Sequence, residues 1–417
     1  MDRVAARLRH ISVYVVVLVK WIAVGSLIGI VGGAAGTLFH LGVDAVTGVR
    51  EGHPWVLYLL PLGGLAIVWL YRAAGVEGKG TNAVIESVHF GSDVPIVLVP
   101  VIFLATIVTH LFGGSAGREG AALQIGGGIG YEAGTLMGLG EKDLPLATLC
   151  GMSAVFAALF GTPLTACIFA LEVISVGVLY YAGLIPCITA ALVGYKVSLL
   201  AGVNPESFTV PMPDLALVTM LRVLGLAVLC AVISIVFVRG LHYVERQAAH
   251  YLTNPYVRVL CGAAAVIGLT LLLGTRDYNG TGMEVIARAM AGEAASLAWF
   301  WKILFTALTI GCGFKGGEVV PSFFVGAVFG CVAGPLLGLP APMSAAIGLV
   351  AVFCGAVNCP IASVILSVEL FGAGGMLYFA VACAISYLLS GYCGLYSSQT
   401  ILYSKLRAEF INVHAKE

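Results

Sequence analysis

Ten apolar stretches divide the chain, near residues 11–49, 54–74, 94–112, 146–172, 176–202, 215–246, 256–274, 296–312, 343–370 and 374–392. A run of about 20 mainly apolar residues is what a hydrocarbon layer accepts, because a helix of that length crosses it with every backbone polar group paired internally. Hydrophobic residues make up 60% of the 417, charged residues only 10%, and the mean hydropathy is +1.02. That composition cannot clothe a water-soluble surface, and it predicts an all-α polytopic membrane protein. The first run continues without a cleavage site and is read as a retained membrane helix rather than a signal peptide.

Charge and cysteine use exclude other classes. The 21 basic and 21 acidic residues balance, which gives nucleic acid no reason to bind. The eleven cysteines stand singly in apolar surroundings, so they read as small hydrophobes rather than disulfides or metal ligands. The histidines form no metal-binding spacing, and no Walker-type or G-x-S-x-G element is present. Neither a cofactor nor an enzyme active site is expected. Arg3, Arg7 and Arg9 before the first run, with Lys405 and Arg407 near the end, predict that both termini face the cytoplasm.

An internal repeat organises the rest. CGMSAVFAALFGTPLTACIFALEV (150–173) aligns without gaps on IGLVAVFCGAVNCPIASVILSVEL (347–370), matching Pro163 with Pro360 and Glu172 with Glu369 at an offset of 197. Gly80-Thr81 against Gly280-Thr281, and SAGREG against GFKGGEV, fall near the same offset. The chain therefore divides into a first half at 1–203, a polar, proline-rich linker at 204–214 and a second half at 215–417. If each half crosses the membrane an odd number of times, the halves are inverted, and broken, re-entrant helices from both meet at mid-membrane. The glycine-punctuated pieces 119–138 and 319–338 are expected to be such interrupted segments, and Glu172 and Glu369 to serve structure at helix ends.

Three glycine-rich pieces, at Gly78–Asn82, Gly117–Gly120 and Gly316–Pro321, would each open a helix within the membrane. Helix N-termini present unpaired N–H groups and a partial positive charge, so several converging at one depth form an anion site. Glu119 falls where an anion would sit, and its carboxylate could fill the site until protonation releases it. A side chain with those two states couples protons to anions. Pairing with Arg118 is a poor alternative, since adjacent helical residues point apart. Glu318 sits in the repeat-related loop and is read as a second proton group, with Lys315 as its structural alternative partner. Tyr396 could offer a hydroxyl to the anion or anchor an interface.

GREGA at 117–121 followed by LQIGGGIG resembles the second signature of the CLC family of anion channels and anion/proton exchangers. GTNAV at 80–84 and GEVVP at 317–321 stand where that family's first and third signatures would be, and Tyr396 fits its pore tyrosine. The departures, Thr81-Asn82, Val319, Glu318 within the third motif and Val173 after Glu172, are similar to the fluoride/proton branch. The resemblance implies the CLC fold of two inverted-topology repeats, a homodimer in the lipid bilayer of the inner membrane, and no cytoplasmic CBS pair. It further implies fluoride export in exchange for protons. Glu119 would gate and carry protons, Glu318 would couple them, and Thr81, Asn82, Gly117, Arg118, Gly120, Val319, Val320 and Tyr396 would form the anion path. The alternatives are a chloride/proton exchanger, a passive chloride channel and, from another class, a cation-coupled transporter of organic solutes.

Overall fold

The computed structural model describes residues 2–415, and side chains from residue 13 onward; those of Arg3, Arg7 and Arg9, on which the orientation reading rests, fall outside that description. The described residues form two successive sets of eight helices in the same order. The first set is α1 (Asp2–Gly52), α2 (Leu60–Ala73, after a 3-10 turn at Pro54–Leu59), α3 (Thr81–Phe90), α4 (Leu98–Leu111), α5 (Glu119–Leu136), α6 (Leu144–Phe160), α7 (Pro163–Glu172) and α8 (Leu184–Leu200). The second is α9 (Leu217–Tyr251), α10 (Pro255–Leu273), α11 (Met283–Met290), α12 (Ala298–Gly311), α13 (Val319–Leu336), α14 (Ala341–Val357), α15 (Pro360–Phe371) and α16 (Met376–Leu389). Among the described residues, six helical segments are long and apolar enough to cross a membrane. Large apolar side chains such as Val16, Leu38, Trp69, Val232 and Leu272 remain exposed on their flanks, as a lipid-facing surface requires.

Two expectations about continuity are corrected. The stretches 146–172 and 343–370 are not single helices: the first breaks at Gly161 (φ +70°) and the second at Asn358 (φ +58°). A left-handed residue ends each helix, and Pro163 or Pro360, two residues on, opens the next, the usual grammar of a helix stop and restart. Conversely, 119–138 and 319–338 are not interrupted. Most of each forms one regular helix, α5 and α13. Their glycines serve packing instead. A Cβ on Gly126 or Gly130 would collide with the backbone of α6, and one on Gly326 or Gly330 with that of α14. These helix pairs therefore meet backbone to backbone, as small residues allow in membranes.

The halves are joined by matched contacts. Glu369 at the end of α15 accepts the N–H groups of Leu164 and Thr165 at the start of α7, both at 2.9 Å. Glu172 at the end of α7 accepts those of Ile361 and Ala362 at the start of α15, at 3.1 and 2.8 Å. Each glutamate thus closes the exposed amides of the opposite half's helix, the structural role expected of this pair. Residues 203–216, irregular in conformation, carry the chain from α8 to α9, with Phe208 N–H donating to Leu370 O at 2.8 Å.

Beside the helices lies one small sheet in the order β1-β2-β3. The strands are β1 (Ser175–Val176), β2 (Thr400–Tyr403) and β3 (Phe410–His414), β1 parallel to β2 and β2 antiparallel to β3. The chain beyond the last membrane helix is therefore folded against the end of α7. Ten of the eleven cysteines are buried as expected; Cys261 on α10 is exposed.

Candidate functional site

Where the two halves come closest, Gly117 and Gly317 form an isolated antiparallel bridge, each N–H donating to the other's carbonyl at 2.7 Å. This pairing sets the N-termini of α5 and α13 side by side. A side chain on either glycine would obstruct the Glu119 carboxylate: a Cβ on Gly317 would fall 2.6 Å from both the backbone nitrogen and Oε2 of Glu119. The bare backbone thus forms a seat, and glycine is required there because the atoms approach too closely for anything larger.

Glu119 fills that seat. Its side chain is fully buried, and Oε2 accepts the N–H of Val320 in the first turn of α13 at 3.1 Å. Its other oxygen, Oε1, has no hydrogen-bond partner. A carboxylate is therefore held by an opposing helix's amide, the place where the dipole and free N–H groups of α13 favour negative charge. The Tyr396 hydroxyl, on which the charges of Glu318 and Glu119 both act, is buried and likewise without a partner. Around the seat Thr81 donates to Gly120 O at 3.3 Å, and Gln124 Nε2 donates to Thr81 Oγ1 at 3.1 Å.

The other expected residues take more differentiated places. Asn82 donates its amide to Ser397 Oγ at 3.0 Å and accepts from Ser398 N–H at 3.2 Å, so it holds the segment that carries Tyr396. Arg118 does not pair with Glu119. Its guanidinium reaches Asp44 at 3.2 Å and Glu206 at 3.6 Å, tying α5 to α1 and to the linker. Val319 begins α13 next to the amide that grips Glu119. Glu318 is partly exposed at the N-cap of α13, and the charges it senses are those of His242, Glu245 and Glu119. Lys315, considered as its partner, turns to the ring of Tyr71, with Nζ 4.8 Å from the centroid.

Two cavities flank this centre. The first, about 520 Å3, lies between the end of α1 and the loop before α11. Its lining carries Asp44, Glu51, Glu206, Asp277 and Glu284 against Arg50, Arg118 and Arg276. The second, about 300 Å3, lies between the end of α2 and the start of α10. Its charged lining is Glu77, Arg258 and Lys315. The span of α2 runs from Pro54 and Leu57 in the first cavity to Tyr71 in the second, while α10 starts at Pro255 in the second and leads to Arg276 in the first. Corresponding helices therefore run in opposite directions between opposite faces, which is the inverted repeat in concrete form.

Some residues of this centre were not singled out from sequence. Lys302, fully buried on α12, donates to the carbonyls of Tyr278 and Gly280 at 3.2 and 2.7 Å and so fixes the loop before α11. A lone lysine within AWFWKILFTAL was a readable signal, since an intramembrane charge is rarely idle. Gln124, Ser397 and Ser398 carried none, because their partners lie 43, 315 and 316 residues away in the chain.

Inverted helix sets, facing helix N-termini and a carboxylate seated between two cavities define a membrane protein built to pass anions. Residues 63–391 match the family described as voltage gated chloride channel, and the chain belongs to that family. It is 36% identical to the chloride/fluoride channel protein of Pseudomonas syringae pv. tomato, covering 93% of this chain and 88% of the relative. It is 23% identical to the H(+)/Cl(-) exchange transporter ClcA of Vibrio vulnificus, covering 83% and 80%. Among solved structures it is similar to a CLC-type fluoride/proton antiporter, with TM-score 0.89 and 32% identity, covering 92% of this chain and 98% of that one. It shares the fold of a slow cyanobacterial Cl-/H+ antiporter at TM-score 0.77 and 17% identity, covering 89% and 94%.

Proposed function

We propose that the protein exports fluoride from the cytoplasm in exchange for protons, as a transporter rather than an enzyme. The observation that carries this reading is the Glu119 carboxylate occupying an amide seat with one oxygen unsatisfied. Ionised, the carboxylate competes with a halide for the Val320 N–H; protonated, it loses its hold and the anion takes its place. One proton then moves against one vacated seat. Fluoride is small and strongly hydrated, so real donors must replace its water. The Tyr396 hydroxyl, the Thr81 hydroxyl and the α13 amides stand at that depth. Glu318 is the second proton station, and Asn82 positions Tyr396.

In this reading the protein lies in the inner membrane with both termini cytoplasmic. The long α1 then delivers the chain to the outer face, making the first cavity the outer vestibule and the second the inner one. Leu164 and Ile361, matched positions of α7 and α15 that are each 46% exposed, offer an apolar face for a second subunit. The similar solved structure is a fluoride/proton antiporter and the bacterial relative is named a chloride/fluoride channel protein, which supports fluoride as a transported anion. Purified protein in liposomes loaded with fluoride or with chloride tests it. Uphill fluoride movement driven by a pH gradient is expected; equal chloride movement would make it a chloride/proton exchanger, and no uphill movement a channel.

A further inference from the structure

We infer that Lys405, in the turn between β2 and β3, is a positioning residue for transport: through Asn358 and Gln399 it fixes the segment that carries Tyr396, and with it the hold of the centre on its anion. The inference deepens the fluoride-export reading and rests on it for the identity of the anion.

Tyr396 has no hydrogen bond of its own to keep its hydroxyl in place, so the depth of that hydroxyl depends on how the backbone to either side is held. Asn82 holds Ser397 and Ser398. From the opposite direction, three side chains form one line of hydrogen bonds. Lys405 donates from Nζ to Asn358 Oδ1 at 2.6 Å. Asn358 Nδ2 donates to Cys393 O at 2.9 Å and to Gln399 Oε1 at 3.1 Å. Gln399 Nε2 donates in turn to Val173 O at 3.0 Å and Val357 O at 2.9 Å, carbonyls at the ends of α7 and α14. Cys393 and Gln399 stand symmetrically about Tyr396. Both amide side chains are fully buried, and a buried network with every member paired specifies a single arrangement.

A comparison of the halves shows that this amide is not there for the helix break alone. At the offset of 197, Asn358 corresponds to Gly161, and both are left-handed, at φ +58° and +70°. Glycine adopts that conformation at less cost, so the second half keeps a side chain for what it binds. The fit is close: a Cβ on Gly394 would fall 2.7 Å from Asn358 Nδ2. Lys405 supplies the charge. Its ammonium also donates to Tyr387 O at 2.8 Å and Ser390 Oγ at 3.2 Å and stands 4.1 Å from the Tyr387 ring centroid, at the end of α16. A charged donor binds neutral acceptors more strongly than a neutral one does. The chain beyond the last membrane helix therefore closes a clamp on the residues that hold Tyr396.

The test uses full-length protein in liposomes. Lys405→Met, which keeps the aliphatic stem, is expected to raise KM for fluoride roughly fivefold. Asn358→Gly, which keeps the left-handed backbone and removes the amide, should raise it by a similar factor and guards against misfolding. The fluoride-to-proton ratio should stay at the wild-type value. In Tyr396→Phe, where the hydroxyl is already gone, adding Lys405→Met should change KM by less than roughly twofold, since the two act as one unit. Unchanged KM in both Lys405→Met and Asn358→Gly would overturn the inference. So would an undiminished effect of Lys405→Met on top of Tyr396→Phe, or a fall in maximal rate alone, each of which marks a merely structural role. Should the wild type carry no fluoride at all, the transport reading fails, and fluorine NMR of fluorotyrosine incorporated at position 396 decides the clamp: its resonance must move in Lys405→Met, and an unmoved one sinks it.

Discussion

The two vestibules are products of one duplicated plan, yet they are charged in opposite senses. The outer one sets five acids against three arginines, and Arg118, its innermost cation, is neutralised by Asp44 and Glu206. The inner one sets two cations against one acid that is turned outward. At the matching place in the second half, Glu318 stands where Arg118 stands in the first. An inverted backbone thus offers the same dipoles to both faces, and side chains break the tie. In the proposed orientation the inner mouth would draw anions in, and the outer mouth would release them and gather protons.

The largest test of that division is at the centre both vestibules share. Glu119→Gln should leave fluoride flux measurable while proton-driven fluoride accumulation falls by roughly a hundredfold or more, read with pH and fluoride electrodes on liposomes. If coupling survives, the seat is not where the two ions meet. Glu318→Gln comes next: removing the ionisable group from the inner side should lower coupled proton flux roughly tenfold while uncoupled fluoride leak rises. An equal effect on the two fluxes would mean that Glu318 only shapes the loop.

Smaller effects concern what holds the halves in register. Glu172→Ala and Glu369→Ala should each lower stability by about 2 kcal/mol, since each strips two charge-assisted backbone hydrogen bonds. Thermal unfolding in detergent should show a somewhat larger loss for Glu369→Ala, which also strips the hydrogen bond from the Thr165 hydroxyl; a larger loss for Glu172→Ala would break the reading of their contacts. The smallest effect is expected from Glu206→Gln, which frees one arm of Arg118. It should raise affinity for outer fluoride by roughly two- to threefold, seen as stronger inhibition of export by external fluoride, and leave cytoplasmic KM unchanged.

Much of this was legible in the sequence because membranes impose strong local rules. Apolar runs, the repeat at offset 197 and the glycines flanking Glu119 all follow from what hydrocarbon and helix ends require of nearby residues. The same glycines misled where two readings share one signature: along α5 and α13 they mark close helix contact, while at Gly117 and Gly317 they mark an open backbone. Charge partners were the least legible. Arg118 was weighed against its neighbour Glu119, yet it is held by Asp44 and Glu206, 74 and 88 positions away in the chain. Lys315, the structural alternative to a proton role for Glu318, rests on Tyr71 from another helix. The C-terminal strands gave no signal because their partner, β1, is two residues long and remote.

The crossed glutamates of α7 and α15 carry a lesson about origin. In an assembly of two identical, unfused ancestors, one acidic residue per chain would have satisfied both facing helix starts at once, so such a pair could exist before the gene doubled. The contacts leave a mutual dependence: the starts of α7 and α15 are each closed by a glutamate of the opposite half. Expressed as two separate polypeptides cut within residues 204–214, the fragments should therefore recognise each other and reassemble, whereas either alone would present bare amides to hydrocarbon.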